Sequence, residues 1–209
     1  MNPSFRMGEM MTFHSKVMNQ ASRLRLFILA ALWVVGSSCA SIDLDAQNMG
    51  GIYAQWDDDL REWVILDTEG NEAGSLAMRW AVQNDIAFWD YSFGEHRGEI
   101  RARWRDNYQE WQVQEGNEII TLRQTWRDIP TEWELTNDGD IRLSWLTRWT
   151  NTPEEWELRN KEEFGRFEVF TAYEGDPRDW VIIDETDPDF SVAARMGMVF
   201  IPILMVLPK

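Results

Sequence analysis

The sequence predicts an all-β protein, an antiparallel meander of β-hairpin repeats of 22–24 residues, with about ten to twelve strands in a curved sheet or barrel. Three observations carry that expectation. First, Trp104, Trp126 and Trp149 stand 22 and 23 residues apart, and seven residues after each comes Trp111, Trp133 or Trp156. Trp56, with Trp63 seven residues behind it, and Trp80 extend the series upstream; Tyr173, with Trp180 seven behind it, extends it downstream. Second, turn signals recur at fixed places inside each unit. Glu69-Gly70-Asn71-Glu72 returns as Glu115-Gly116-Asn117-Glu118, and Asn137-Asp138-Gly139 holds the Asp-Gly pair that tight hairpins favour because both central residues take positive φ. Asp106-Asn107, Asp128-Ile129-Pro130, Asn151-Thr152-Pro153 and Gly175-Asp176-Pro177 start turns at the other end of the unit. Third, the stretches between turns alternate apolar with polar residues, the period of a half-buried strand.

That alternation assigns the faces. Ile141, Leu143, Trp145, Thr147 and Trp149 share one side of a strand, as do Ile120, Leu122 and Trp126. On partner strands the apolar pairs are Trp63 with Ile65, Trp111 with Val113, Trp133 with Leu135, Trp156 with Leu158 and Trp180 with Ile182. The expected core therefore contains Trp63, Trp80, Trp104, Trp111, Trp126 and Trp133. Trp145, Trp149, Trp156, Tyr173 and Trp180 complete it. A buried indole removes about 150–250 Å² from water, on the order of 4–6 kcal/mol before entropy is set against it. The opposite face carries acids on one strand (Glu110, Glu132, Glu134, Glu155, Glu157) and arginines on the next (Arg101, Arg103, Arg123, Arg142, Arg148), which reads as a solvent-facing charge ladder. Two aromatics stand apart as candidates for ligand contact: Trp89, two residues late against the repeat, and Tyr108.

The segments outside the repeat have their own signatures. Arg23 and Arg25 precede the apolar run Leu26 to Val35, which is followed by Gly36-Ser37-Ser38-Cys39-Ala40. A basic start, a short apolar stretch and small residues make a secretory signal peptide over residues 1–38, for which Met18 is a plausible true start. Gly36 to Cys39 resembles the lipobox of bacterial lipoproteins. That resemblance implies lipidation of Cys39, a tether over residues 39–51 and, since Ala40 rather than Asp follows the cysteine, an outer-membrane address in the cell envelope. The alternative is ordinary cleavage after Ala40, giving a secreted protein. The repeat domain is expected over residues 52–185. Residues 186–209 form an acidic linker and an apolar tail, packed on the sheet's aromatic face; Arg195 and Pro202 argue against a membrane span there.

Composition limits function. Removing residues 1–38 takes away four basic residues and one acid, moving the formal charge from −16 to −19, so nucleic acid is excluded as a phosphate-bound partner. Cys39 is the single cysteine and leaves no intramolecular disulfide. His96 is the one histidine of the mature chain, too few for a His-rich metal site, and no catalytic residues, metal ligands or cofactor motif emerge. Asp57-Asp58-Asp59 and the acids from Asp184 to Asp189 read as solvated charge. A transmembrane barrel fits poorly, because the outward strand positions are too few and too polar for a lipid-facing band.

The expected function is that of an exported, lipid-anchored, non-catalytic envelope protein with a structural or binding role, whose protein or glycan partner the sequence leaves open. Gly51-Ile52-Tyr53-Ala54-Gln55-Trp56 resembles a lipocalin opening, which implies a carrier of a small apolar ligand. An envelope glycosidase or carbohydrate-binding module is the third reading.

Overall fold

A computed structural model describes residues 48–207, apart from Asp106, Asp140 and Asn151. The signal peptide, Met18, Cys39 and most of the tether lie outside the described residues. Twelve strands follow in order: β1 (Met49–Trp56), β2 (Asp59–Asp67), β3 (Glu72–Trp80), β4 (Asp85–Phe93), β5 (His96–Trp104) and β6 (Asn107–Glu115). Then come β7 (Glu118–Trp126), β8 (Ile129–Thr136), β9 (Arg142–Trp149), β10 (Thr152–Leu158), β11 (Gly165–Tyr173) and β12 (Asp176–Thr186). Every strand pairs antiparallel with its sequence neighbour, and β1 closes on β12 through Gly51–Val181, Ile52–Trp180 and Tyr53–Asp179. The meander is thus a closed barrel without a free edge. Its turns alternate between two rims: one holds the β1–β2, β3–β4, β5–β6, β7–β8, β9–β10 and β11–β12 turns, the other holds the remaining turns, the start of β1 and the end of β12.

The turn chemistry follows the side chains. Gly70 and Gly116 take φ of 84° and 54°, the left-handed region in which a side chain would be strained. Gly139 does not adopt positive φ; there the Asn137 side-chain oxygen accepts from Gly139 N (2.9 Å) and Ile141 N (3.0 Å), so a side-chain loop replaces the expected tight turn.

A twelve-strand barrel is wider than its own side chains fill, and the C-terminal helix (Val192–Val206) occupies the space. All of Ala193 to Leu204 is buried. Phe200 meets Trp111 edge-on at 4.8 Å and Trp89 at 5.7 Å between ring centroids. Pro202 lies inside the helix close to its end, where it removes one backbone donor without stopping the chain. The helix starts at the rim where β1 begins. There Ser191 caps it by accepting from Ala194 N at 3.1 Å and donates its hydroxyl to Glu118 at 2.8 Å. Arg195, 1% exposed, faces Asp184 at 3.6 Å and donates to the Asp187 carbonyl at 2.7 Å. Asp184 is therefore not solvated charge. Its carboxylate also accepts from Met49 N (3.1 Å), Thr186 N (3.2 Å) and Thr186 Oγ1 (2.6 Å), tying the first strand, the last strand and the helix together. Burial pulls the Arg195 guanidinium below its ordinary value, against the attraction of Asp184.

The tryptophans divide into two rings. Trp63, Trp89, Trp111, Trp133, Trp156 and Trp180, one per even-numbered strand, are at most 1% exposed and line the interior. Each solves the problem of its polar edge in the same way: Nε1–H donates to the carbonyl three residues earlier, on Leu60, Ile86, Tyr108, Pro130, Pro153 and Pro177, at 2.7–2.9 Å. Trp89 belongs to this ring. Its two-residue lag comes from a 3-10 turn, Ala81–Gln83, inserted before β4, so the chain does not present it for ligand contact. Trp145 is also buried, stacked on Trp156 at 6.1 Å.

The expected core assignment is corrected for the other ring. Trp80, Trp104, Trp126, Trp149 and Tyr173 are 49–67% exposed, as is Trp56 at 55%. The cause is a break in register next to these residues. Pairing slips between Ala54 and Trp56, Met78 and Trp80, Ala102 and Trp104, Gln124 and Trp126, and Thr171 and Tyr173, and in the β9–β10 pair between Thr147 and Trp149, opposite Trp156 and Thr152. A bulge inserts extra residues on one strand and re-aims the side chain, so counting by twos from Ile120 and Leu122 gives the wrong face for Trp126.

The outer wall carries the charge ladder: Arg142 pairs with Glu134 at 2.7 Å, Arg103 with Glu110, and Arg79 with Asp90 and Glu99. Its most buried member is Glu168, whose side chain is 6% exposed among Arg166 (2.8 Å), Lys161 (3.1 Å) and Arg148 (3.0 Å). The Arg166 hydrogen bond, helped by Lys161 and Arg148, holds its carboxyl at about 2. Because the folded value lies below the unfolded one, the stabilisation is complete above about pH 4.5 and is lost as pH falls toward 2. On the order of 2–3 kcal/mol is expected to disappear over that window. Urea melts from pH 6 to pH 2.5 check this: Glu168→Gln should be less stable at pH 6 and should flatten the acid limb, and an unchanged acid limb would refute it.

Candidate functional site

The six exposed aromatics are the terminal residues of the odd-numbered strands, so all lie at one rim, each beside a hairpin turn. This is the aromatic rim. Where the indole edges have partners, these sit on the outer wall: Trp56 Nε1 donates to Glu62 at 3.0 Å and Trp104 Nε1 to Glu110 at 3.3 Å. The Arg103 guanidinium lies 5.6 Å from the centre of the Trp104 ring.

The mouth of the barrel at this rim is closed by the end of the C-terminal helix and leaves a cleft of about 650 Å³, within the range of small-molecule sites. Its floor is apolar: Ile86, Pro130, Trp133, Leu204 and Leu207. Its walls are polar: Asn84, Asn107, Gln109, Gln124, Arg127 and Asp128. A smaller hollow of about 300 Å³ adjoins it, sharing Asn84, Ile86 and Leu207 and adding Asp58, Asp59 and Arg61. Tyr108, 39% exposed, lines the main cleft with its ring stacked on Trp111 at 5.7 Å and 25° between planes. Of the two aromatics expected to contact ligand, the structure brings Tyr108 to the cleft and leaves Trp89 in the core.

The amides are held in place. Gln109 Nε2 donates to the Arg127 carbonyl at 3.1 Å, and Gln124 Nε2 donates to the carbonyls of Trp126 (2.7 Å) and Arg127 (3.2 Å). Asn107 Oδ1 accepts from Gln109 N at 3.0 Å. In the sequence Asn107 and Asp128 stand out only as turn residues, and Gln109, Gln124 and Arg127 not at all. The available signal was Tyr108 itself, at the position three before the buried tryptophan, where the three following hairpins all have proline: Pro130, Pro153 and Pro177.

At the opposite rim His96 Nδ1 contacts Glu115, whose other oxygen accepts the Tyr91 hydroxyl at 2.9 Å. Burial, with Glu115 beside it, raises the Tyr91 phenol well above its ordinary value, so it stays protonated as a structural donor. Among the described residues no cluster of three or more His, Cys, Asp or Glu side chains could hold a metal ion, and no helix is long and apolar enough to cross a membrane.

Against family models, curated proteins and solved structures, the chain matches none. Its geometry is therefore the ground for any functional statement.

Proposed function

We propose that this chain is an exported, lipid-anchored, non-catalytic envelope protein whose role is binding, carried out at the aromatic rim. The observation that carries this reading is the ring of six exposed aromatic side chains, at the end of the barrel away from the start of β1. Six large aromatics exposed at one rim, one on every second strand, form a repeated array that a covering partner would explain. Cys39 lies ten residues before Met49, a reach of about 35 Å at full extension. A lipid on Cys39 would join the chain ahead of β1, whose start lies at the rim opposite the exposed aromatics. The carrier reading, by contrast, requires a ligand to replace the buried helix residues 193–204 or to stay at the mouth. Among the described residues lining the main cleft, Asp128 is the one carboxylate, whereas glycoside hydrolysis by the usual route takes two.

Fractionation of producing cells tests the reading. The native protein is expected with membranes and Cys39→Ala in the soluble fraction; a Cys39→Ala protein that stays with membranes would move the attachment to the rim aromatics and overturn the anchor.

A further inference from the structure

We propose that the cleft at the aromatic rim is a binding site for a neutral oligosaccharide, the end of a sugar chain whose continuation runs over the neighbouring rim indoles. This rests on the binding role assigned to the same rim and names its ligand class. A sugar ring presents two kinds of surface at once, an apolar C–H face and a fringe of hydroxyls that each donate and accept. The cleft offers the matching pair.

Tyr108 supplies a flat ring braced from behind by Trp111, and Ile86 and Leu207 supply apolar floor. Around them stand planar amides whose orientation is already set. Because Gln109 and Gln124 spend Nε2 donors on backbone carbonyls, their Oε1 atoms are left as acceptors with no partner among the described residues. Asn107 is the complement: its oxygen is engaged and its NH₂ remains to donate. Arg127 and Asp128 add a charged donor and a charged acceptor, with no side-chain hydrogen bond or ion pair between them or to other described residues. Prepaid ordering of this kind lowers the cost of binding a polar ligand.

Other ligand classes fit less well. One cation and one carboxylate give the walls of the main cleft no net charge, so a phosphate or other anion gains little there. A wholly apolar ligand would desolvate the amide oxygens without replacing their water contacts. For a lipid surface, the Glu62 and Glu110 carboxylates bonded to the Trp56 and Trp104 rings would have to enter the headgroup layer with them. For a sugar chain those same carboxylates are hydroxyl acceptors beside a stacking face. Trp104 ends the strand before Asn107 and Trp126 immediately precedes Arg127, so two exposed indoles neighbour wall residues of the cleft along the chain.

The test is calorimetric titration of the Cys39→Ala protein, which carries no lipid of its own, with hexasaccharides of β-1,4-linked N-acetylglucosamine and of β-1,4-linked glucose, alongside vesicles of phosphatidylethanolamine and phosphatidylglycerol. Saturable binding of at least one hexasaccharide is expected, weakened tenfold or more by Tyr108→Ala and by Arg127→Ala. Arg127, exposed and without a side-chain partner, keeps the test valid if Tyr108→Ala disturbs Trp111. The proposal is overturned if neither sugar binds, if binding survives both substitutions, or if the rim adsorbs to vesicles instead. A Cys39→Ala protein that leaves the membranes yet binds neither hexasaccharide would overturn the ligand class and leave the anchor standing, so the two ideas can fail separately.

Discussion

Trp133→Ala should destabilise the domain by about 3–5 kcal/mol, whereas Trp126→Ala, seven residues earlier in the same repeat, should cost well under about 1 kcal/mol. The two indoles differ in what surrounds them. Trp133 is 1% exposed and spends its N–H on the Pro130 carbonyl at 2.7 Å, so truncation leaves a large cavity in the barrel wall and an orphaned acceptor. Trp126 is 58% exposed beyond a break in register and packs against little that could collapse. Chemical melts of both variants measure this. Equal losses would mean that the rim ring is structural after all, and the binding role assigned to it would lose its support.

The second large effect belongs to the buried ion pair where the helix enters. Asp184→Ala should cost about 3–5 kcal/mol, because it removes the carboxylate facing the Arg195 guanidinium and three further hydrogen bonds to Met49 N, Thr186 N and Thr186 Oγ1. Arg195→Met should cost less. It removes a charge whose desolvation already opposes it, fills much of the same volume, and leaves Asp184 with its three donors. Melting both variants at neutral pH decides the matter: a larger loss for Arg195→Met would show that the guanidinium's contacts to the Asp187 and Pro188 carbonyls, at 2.7 and 3.5 Å, outweigh its burial.

Much of this architecture is legible in the residues. The seven-residue tryptophan pairs, the Gly70 and Gly116 turns and the apolar tail are enough to predict hairpins, a meander in a curved sheet or barrel, and a tail to cover its aromatic face; that the sheet closes is seen only in the β1–β12 pairing. What period-two counting misses is any departure from period two. Bulges put Trp104 and Trp126 on the rim, a 3-10 turn hides Trp89, and both are paid in backbone geometry that leaves no trace in hydropathy. Asp184 was unreadable for another reason: it sits among acids that do face water, and only the position of Arg195 inside the barrel distinguishes it. The cleft was legible at one residue, Tyr108, because the remaining walls are ordinary amides and one charge of each sign until folding sets them side by side.

The plug has a consequence for how the molecule comes into being. The seam between β1 and β12 joins residues more than a hundred positions apart, and the volume it encloses stays hollow until residues 192–206, the last helix of the described chain, arrive. Contacts so distant along the chain form late, since loop closure must be met before they reward it. The polypeptide therefore has no finished core to fold around until that helix is available to enter the barrel, and until then the apolar inner faces of its strands lack their partner.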